Sequence, residues 1–390
     1  MRVTHIITRL IVGGAQENTV ASVLGLQRKP GLEIDLISGP TTGPEGSLES
    51  AFATRPNSLQ LSRHLIRAVH PFHDWLALRE LTRMLRDRRP DIVHTHSSKA
   101  GILGRLAAKR AGVPIIIHTI HGPSFGSFQG PLANLVFTSA ERHAARCTTH
   151  FITVANAMTQ QFLKAGIGHP DQFTRVFSGF PLEPFLSATN DANLRARYGL
   201  QRDDFVVGKI ARLFKLKGHD DLIEAAPEIV RRCPQIKFLL VGGGPWRERL
   251  AEKVRTMNLE NHFIFTGLVS PSEIPPLVGI MDALVHLSSR EGIPRALPQA
   301  LAAARPVVAY DYDGASEVCL DNKTGLLIPP GDAARLTESI LMLANNPELR
   351  ERLGRHGQTF VKERFPVGRM VDELHALYRK LDGQRSVQHP

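Results

Sequence analysis

Residues 288–309 read SSREGIPRALPQALAAARPVVA. Pro294 stands where a helix can begin, because proline has no N–H to leave unpaired in the first helical turn. Behind it lie an alanine-rich apolar segment, 296–304, and a short β-branched run, 306–309. The stretch therefore predicts a tight loop, a helix and a buried strand, which together are the repeating unit of a parallel α/β sheet.

Two residues of the predicted loop indicate ligand chemistry. Glu291 and Gly292 lie just before the helix N-terminus, where free backbone N–H groups favour a phosphate. A carboxylate beside that phosphate can accept hydrogen bonds from sugar hydroxyls. The combination favours a nucleotide-sugar site, although the stretch taken alone is more typical of an ordinary loop with a solvated glutamate.

Short β-branched runs alternate with helical segments along the whole chain, which predicts parallel sheets covered by helices on both faces. Candidate strands in the first half are residues 3–8, 33–37, 92–95, 114–119, 151–154 and 174–177. Those in the second half are residues 205–210, 237–241, 262–265, 283–287, 306–309 and 325–328. Residues 178–184, SGFPLEP, break the pattern and form the predicted linker. We predict an α/β fold of two doubly wound, Rossmann-like domains, 1–185 and 186–365, which face each other across a ligand cleft.

Length and composition agree with this organisation. The 390 residues exceed the usual size of one core, and the apolar content of 42% is ordinary for a globular protein. The chain contains no uninterrupted apolar run of about 18 residues, so the sequence predicts no membrane span. The first residues are more typical of a buried strand than of a signal peptide. Cys147, Cys233 and Cys319 lack metal or disulfide spacing, so a cytoplasmic location is expected.

Positive charge is concentrated in the first half of the chain. The net charge is +11, and residues 1–185 hold 20 Lys and Arg against 12 Asp and Glu. Much of the excess comes from Arg55, Arg63, Arg67, Arg79, Arg83, Arg86, Arg88 and Arg89. One interpretation is peripheral contact with an anionic membrane at the inner face of the cell, and the other is a solvated arginine-rich helix. The low aromatic content and the lack of a nucleic-acid module argue against nucleic-acid binding.

Other predicted strand exits carry anion-binding chemistry. Residues 13–16, GGAQ, follow the first strand, but they do not make GxGxxG, which disfavours a dinucleotide oxidoreductase. Arg212 and Lys217 flank a strand-to-helix turn and can grip a diphosphate, the arginine as a fork and the lysine as a point charge. The alternative interpretation of that pair is two surface cations.

Four histidines lie at the ends of two predicted strands, namely His94, His96, His118 and His121. They have no acidic or cysteine partner at zinc spacing, so we predict no metal site. We place His94 and His118 in the core. His121 stands at a strand exit, so it is the histidine that we expect to face a substrate.

These pieces, in this order, resemble the GT-B glycosyltransferases of glycosyltransferase family 4 over nearly the whole chain. The family signatures are a GGA loop, an R-x4-K-G turn, a VGxGP strand exit, an EG segment and a TGLLxPPGD run. In this sequence they lie at residues 13–15, 212–218, 241–245, from 291 onward, and 324–332. The resemblance implies an N-terminal acceptor-binding domain and a C-terminal donor-binding domain. It also implies that a helix of about residues 366–390 packs back on the first domain.

The resemblance also assigns roles to single residues. Gly14, Arg212 and Lys217 would bind the diphosphate of the donor. Glu291 would hold hydroxyls of the transferred sugar and His121 would line the sugar pocket, so these two are the implied catalytic residues. The remaining donor-binding positions are Gly243, Gly292, Ile293 and Gln299. The family transfers sugar with retention of anomeric configuration and without a metal or other cofactor, and the leaving phosphate takes the proton of the acceptor.

The chain departs from the family pattern at Gln299, where the family has a second glutamate that binds the ribose hydroxyls. Glutamine keeps one acceptor oxygen, so it can still engage a diol with less charge. Gly243 is a milder departure, because the family often has an acid in that run. We therefore expect retained activity with an altered affinity for the donor.

The leading hypothesis is a hexosyl- or N-acetylhexosaminyl-transferase that uses a nucleotide-sugar, with a UDP-sugar as the favoured donor. Its acceptor would be a glycan or lipid-linked sugar in the synthesis of surface polysaccharide or glycolipid. One alternative is a nucleotide-sugar epimerase with the same GT-B architecture. The other is a degenerate protein that binds a nucleotide-sugar without turnover, against which the retention of Arg212, Lys217, Glu291 and His121 argues.

Overall fold

The computed structural model describes residues 1–41, 46–126 and 128–388, and it contains two compact units. One unit combines Met1–Gly179 with Val367–Pro390, and the other is the continuous segment Phe180–Pro366. The division at Gly179 and Phe180 falls inside the glycine- and proline-containing stretch 178–184.

The first unit is built on a sheet of seven parallel strands. These are β1 (Arg2–Ile7), β2 (Glu33–Ser38), β3 (Leu59–Leu61), β4 (Ile92–His96), β5 (Ile115–Ile120), β6 (His150–Thr153) and β7 (Phe173–Arg175). The helices that join them are α1 (Gly14–Leu26), α2 (Pro71–Arg88), α3 (Ser98–Ala111), α4 (Pro131–Ala145) and α5 (Asn156–Lys164). The sheet order is β3-β2-β1-β4-β5-β6-β7. The order reverses between β1 and β4, and ligands bind beyond the carboxyl ends of the strands at such a point.

The second unit repeats this plan with six parallel strands. These are β8 (Phe205–Ile210), β9 (Ile236–Val241), β10 (Phe263–Gly267), β11 (Ala283–His286), β12 (Val307–Tyr310) and β13 (Gly325–Ile328). Its helices are α6 (Glu183–Leu186), α7 (Ala192–Arg197), α8 (His219–Arg232), α9 (Arg247–Thr256), α10 (Ile274–Gly279), α11 (Ala296–Ala302), α12 (Ala333–Asn345) and α13 (Pro347–Arg364). The sheet order is β10-β9-β8-β11-β12-β13, so here the order reverses between β8 and β11.

The last helix, α14 (Val367–Gln388), completes the core of the first unit. Its buried side chains join one apolar cluster with β1 and α1, and they are Met370, Val371, Leu374, Leu377, Tyr378 and Leu381. Gly25 on α1 marks a close approach, because a Cβ there would lie 2.3 Å from Val371 Cγ2. The helices α2 and α3 contribute to a second cluster on the opposite face of the sheet.

Every predicted strand forms, with each end within two residues of its predicted position. The additional strand β3 is only three residues long and partly exposed, so it has no apolar run to reveal it. No helix in the described ranges is sufficiently long and apolar to cross a membrane.

The helix α11, which lies within the stretch 288–309, begins later than the sequence predicted. It starts at Ala296 with Arg295 as its N-cap, and it has seven residues. Pro294 therefore precedes the helix rather than opening it, and its carbonyl accepts a hydrogen bond from the Leu297 N–H at 3.2 Å. The loop before the helix is correspondingly longer.

Candidate active site

Two strand exits of the second unit are packed directly on each other. The turn after β8 lies against the glycine run after β9, where the Leu213 N–H donates to the Gly243 carbonyl at 2.9 Å. A Cβ on Gly242 would lie 2.3 Å from the Ala211 carbonyl oxygen, and one on Gly244 would lie 2.3 Å from that of Leu213. Gly242 and Gly244 are therefore needed because any side chain at these positions would collide with the turn after β8. Gly243, the predicted donor-binding residue, lies between them.

The turn after β8 also meets the loop after β11. The Lys217 ammonium donates to Glu291 Oε1 at 2.5 Å and lies 3.4 Å from Ser288 Oγ. Gly218 lets the two segments approach, because a Cβ there would lie 2.1 Å from the Leu287 carbonyl oxygen. The structure thus joins two of the residues that the sequence predicted to be in the donor site.

The electrostatic surroundings keep Glu291 ionised. Burial alone would raise the pKa of this carboxyl, but attraction to Lys217 and the hydrogen bond from it lower that pKa below its ordinary value. The backbone N–H of Glu291 donates to Asp313 Oδ2 at 2.8 Å, which fixes the loop. Burial and the neighbouring Glu291 raise the pKa of Asp313 despite this hydrogen bond.

A neutral histidine lies beside this ion pair. His286 Nε2 is 3.9 Å from Glu291 Oε1, and burial lowers the pKa of His286 to about 3. Within the described ranges, this buried nitrogen has no hydrogen-bond partner. Buried polar atoms are nearly always paired, so the unsatisfied nitrogen marks a place for a ligand or water.

Lys209 is a site residue that the sequence analysis missed. It lies within β8, is 2% exposed, and interacts electrostatically with both Lys217 and Glu291. Burial lowers the pKa of Lys209 to about 7, an effect that the nearby Asp221 partly offsets. The Tyr310 hydroxyl donates to the same Asp221 at 2.7 Å. The signal was present in the sequence, because a lysine interrupts the apolar run FVVGKI.

The other predicted donor-binding residues of this unit lie on the same loops or on α11. Arg212 is exposed on the turn after β8, with its guanidinium carbon 5.5 Å from the centre of the Phe214 ring. Gly292 and Ile293 are buried in the loop that follows Glu291. Gln299 is a buried residue of α11 and lies about one helical turn after Ala296, the first residue of that helix.

The two remaining predicted residues belong to the first unit. Gly14 is the first residue of α1, and Gly13 is its N-cap. His121 directly follows β5 and is partly exposed, with Nε2 3.0 Å from Nδ1 of His96. Burial lowers the pKa of His121 to about 4, so the ring is neutral at pH 7.

A buried histidine cluster lies next to His121. The ligand atoms of His5, His94 and His96 lie within 4.8 Å of one another, as in a metal site. Each of their six ring nitrogens, however, already has a hydrogen-bond partner: a neighbouring histidine, Tyr378 or Thr119. Hydrogen bonds between protein groups therefore account for all six nitrogens.

The second unit thus offers cations beside an ionised carboxylate at the point where its strand order reverses. Lys217 and Arg212 can bind phosphate oxygens, while Glu291 can accept hydrogen bonds from hydroxyls. The neutral His286 provides a further hydrogen-bonding group without adding charge. Such a site suits a ligand that carries both a phosphate and a sugar.

Comparison with known proteins supports this chemistry. A family model described as Glycosyl transferase 4-like domain matches residues 13–176, and one described as Glycosyl transferases group 1 matches residues 190–360. UDP-Gal:alpha-D-GlcNAc-diphosphoundecaprenol alpha-1,3-galactosyltransferase of Escherichia coli is 30% identical over 318 residues, which cover 80% of this chain and 81% of that protein. GDP-mannose-dependent alpha-(1-6)-phosphatidylinositol monomannoside mannosyltransferase of Mycolicibacterium smegmatis is 29% identical, with 66% and 68% covered.

The fold is matched as well. The crystal structure of HepE from Anabaena in complex with UDP-glucose has a TM-score of 0.81 and 20% identity, and the match covers 97% of this chain and all of that one. The chain belongs to the GT-B glycosyltransferases of the family 4 type, and it is a glycosyltransferase.

Proposed function

We propose that this protein transfers a hexosyl or N-acetylhexosaminyl group from a UDP-sugar to a lipid-linked or glycan acceptor, with retention of anomeric configuration. The product would belong to a surface polysaccharide or glycolipid. The observation that carries the proposal is the Lys217–Glu291 pair beside the unsatisfied Nε2 of His286. It unites a phosphate-binding cation with a hydroxyl-binding carboxylate.

Lys217 and Arg212 are proposed to bind the donor diphosphate. An ammonium group has three N–H donors, so Lys217 can hold Glu291 and a phosphate oxygen together. That link would place the carboxylate at the sugar next to the diphosphate. Developing charge on the leaving phosphate would be stabilised by preorganised cations, which in general is a large contribution to catalysis.

Retention is proposed to follow from attack on the face that the phosphate leaves, with the acceptor proton passing to a phosphate oxygen. His121 and His286 support this assignment, because burial lowers the pKa of each ring and leaves it neutral at pH 7. A ring whose pKa is this low is a weak base and a poor acceptor of the acceptor's proton. The phosphate, rather than a side chain, would then be the base.

The choice of donor and acceptor comes from the more similar relative. The E. coli enzyme is named for UDP-Gal and for a GlcNAc-diphosphoundecaprenol acceptor. The M. smegmatis relative is named for GDP-mannose. We therefore propose a UDP-sugar, and GDP-sugars provide the comparison.

The proposal is tested with a panel of UDP- and GDP-sugars and two acceptors, GlcNAc-diphosphoundecaprenol and free GlcNAc. We expect a UDP-sugar to raise the melting temperature, since a ligand that binds only the native state stabilises it by mass action. We also expect that sugar to be transferred to the lipid-linked acceptor with the anomeric configuration of the donor, as read by NMR of the product. Transfer with inversion, or from a GDP-sugar alone, would contradict the proposal.

Removing the Arg212 guanidinium is expected to weaken UDP binding about tenfold or more, since a hydrogen bond to a charged group contributes about 1.5–3 kcal/mol. The measurement is calorimetric titration of Arg212→Ala with UDP. Arg232→Ala is the matched control, because Arg232 pairs with Glu338 at the far end of α8. Equal affinities of the two variants for UDP would remove Arg212 from the donor site.

Catalysis is expected to need no divalent ion. The turn after β8 supplies Lys217 and Arg212, which are proposed to bind the diphosphate, and cations of this kind can take the place of a metal clamp. Turnover should therefore be unchanged after dialysis against EDTA. Loss of turnover with recovery on adding magnesium or manganese would overturn this expectation.

Membrane contact is proposed through the beginnings of α2 and α4. Exposed apolar side chains are grouped there: Val69, Phe72 and Trp75 near the start of α2, and Leu132, Leu135 and Val136 on α4. Both helices follow parallel strands, so they begin at the carboxyl edge of the sheet. The Arg79 guanidinium stacks over Trp75, with its carbon 4.5 Å from the ring centre.

This surface narrows the earlier hypothesis that the arginines of residues 55–89 contact an anionic membrane, because some of them have other partners. Arg88 is paired with Asp35, and Arg55 donates to the Gln27 side chain, so part of that segment serves the fold. Tryptophan beside apolar and cationic side chains is typical of an interface with anionic lipid, where each cation adds about 1 kcal/mol.

We expect Trp75 fluorescence to shift to the blue on vesicles of phosphatidylglycerol at low salt, and binding to weaken as salt is added. The experiment uses a Trp246→Phe background, in which Trp75 is the only tryptophan. Phe72→Ala should weaken vesicle binding, whereas Leu268→Ala, which removes an exposed leucine of the second unit, should not. Equal binding of both variants would show that this surface is not the membrane contact.

A further inference from the structure

A continuous line of hydrogen bonds joins His121 to α14 through the interior of the first unit. Nε2 of His121 is 3.0 Å from Nδ1 of His96, and Nε2 of His96 is 2.9 Å from Nδ1 of His5. Nε2 of His5 is 3.2 Å from the Tyr378 hydroxyl. His5 and His96 are buried on the adjacent strands β1 and β4, and Tyr378 is buried on α14.

We propose that Tyr378, His5 and His96 are positioning residues that set the tautomer of His121 and hold its Nδ1–H toward the substrate. The proposal rests on the proposed function only in giving His121 a substrate to meet. The tautomer itself is a property of the protein alone.

The line works because a neutral imidazole has one donor nitrogen and one acceptor nitrogen. If Tyr378 donates to His5 Nε2, then His5 must donate from Nδ1 to His96 Nε2. His96 must in turn donate from Nδ1 to His121 Nε2, and the proton of His121 stays on Nδ1. If the direction of donation is reversed at one residue, it must be reversed at all of them. The three histidines and the tyrosine therefore share one direction of hydrogen-bond donation, which we call the polarity of the line.

The other side of Tyr378 selects the polarity. His94 Nδ1 is 2.5 Å from the Tyr378 hydroxyl, and His94 Nε2 is 2.6 Å from Thr119 Oγ1. Among the described residues, Thr119 Oγ1 has no hydrogen-bond partner besides His94. If His94 donated to Thr119, the buried hydroxyl proton would have no protein acceptor, which is unfavourable. In the proposed polarity Thr119 donates to His94, His94 donates to Tyr378, and Tyr378 donates to His5.

Burial keeps the line neutral. It lowers the pKa of His5 to about 3 and that of His121 to about 4, and it lowers the pKa of His96 well below its ordinary value. A protonated ring has two donors and would break the alternation. At pH 7 the polarity is therefore preserved along the whole line.

The consequence for the reaction is a defined role for His121. With its proton on Nδ1 and its Nε2 occupied by His96, the ring can donate a hydrogen bond to a substrate oxygen and has no lone pair to accept a proton. His121 would then be a hydrogen-bond donor to the substrate rather than a general base.

The decisive experiment is NMR of the substrate-free protein labelled with ¹⁵N at the histidine rings, with the His121 signals identified by their loss in His121→Gln. We expect the protonated, pyrrole-type nitrogen of His121 to be Nδ1. In Tyr378→Phe the first donor of the line is missing, so both His121 nitrogens should shift toward averaged values. Thr95→Val, which removes the hydroxyl bonded to His118 at 2.9 Å outside the line, should leave His121 unchanged.

His5→Gln breaks the same line at another link and should shift the His121 signals as Tyr378→Phe does, so the test does not depend on one variant folding.

In turnover assays, Tyr378→Phe should lower kcat about three- to tenfold, the effect of one weakened hydrogen bond, with donor KM unchanged. A proton on Nε2 of His121, or His121 signals that neither variant moves, would overturn the proposal. Absence of turnover with every donor would instead count against the proposed function, and the tautomer would still be decided by NMR.

Discussion

Replacing Glu291 by alanine is expected to lower kcat about 100- to 1,000-fold, as the loss of a preorganised charged group at a reacting centre does. The carboxylate is ionised, is held by Lys217 at 2.5 Å, and lies on a loop that Asp313 fixes. Its removal takes away the group proposed to hold the sugar and also the partner that orients Lys217. The measurement is donor-dependent kinetics with a working acceptor.

The control is Glu252→Ala, which removes an exposed glutamate paired with Arg255 on α9 and should leave kcat unchanged. Gln299→Glu provides the contrast within α11. Contacts with the ribose are made equally in the ground and transition states, so their change should appear in donor KM and leave kcat within a few-fold. Full kcat in Glu291→Ala would show that the loop after β11 does not hold the sugar.

The first unit is expected to lose unfolding free energy as the pH falls from 7 to 5, by about 1.4 kcal/mol per pH unit below pH 6.5 for each histidine that stays neutral in the folded state. Burial lowers the pKa of several histidines in this unit, namely His5, His94, His96, His118, His121 and His150. The unfolded chain, with histidine pKa values of about 6.5, binds more protons below that pH. Stability is therefore present above pH 6.5 and is lost as the pH falls.

The two tryptophans allow this loss to be measured in each unit separately. Trp75 lies in the first unit and Trp246 in the second, so Trp246→Phe and Trp75→Phe give one reporter each. Urea unfolding at pH 7, 6 and 5 should show a steep loss for the first unit. The second unit should lose less, since among its described residues only His219 and His286 are histidines of lowered pKa. An equal pH dependence of the two transitions would contradict the assignment to the histidine cluster.

The strands were predictable because buried parallel strands must be continuous apolar runs, and glycine and proline mark their ends. Residues 205–210 and 325–328 were predicted to the residue. The exception, β3, is a short, partly exposed strand at the sheet edge and carries no such signal. The start of α11 was wrong by two residues because a turn separates Pro294 from the helix.

The site was only partly predictable. Lys217 and Glu291 were named as separate donor-binding residues, but their contact depends on the approach of Gly218 to Leu287, which local patterns do not reveal. The sequence did not predict His5 as part of the histidine cluster, because its place there depends on the register of the strands. It lies directly beside His94 in the pairing of β1 with β4, and only that pairing brings the rings together.

The position of α14 has a consequence for how the protein is made. The first unit needs Met370, Leu374 and Tyr378 to close its core, whereas the second unit is continuous from Phe180 to Pro366. A ribosome that has completed the first 179 residues has therefore not yet produced the helix that covers α1. At about 5–20 residues per second, that apolar surface stays uncovered for about 10–40 seconds while the second unit is synthesised. The unit synthesised second can therefore be the first to complete its core.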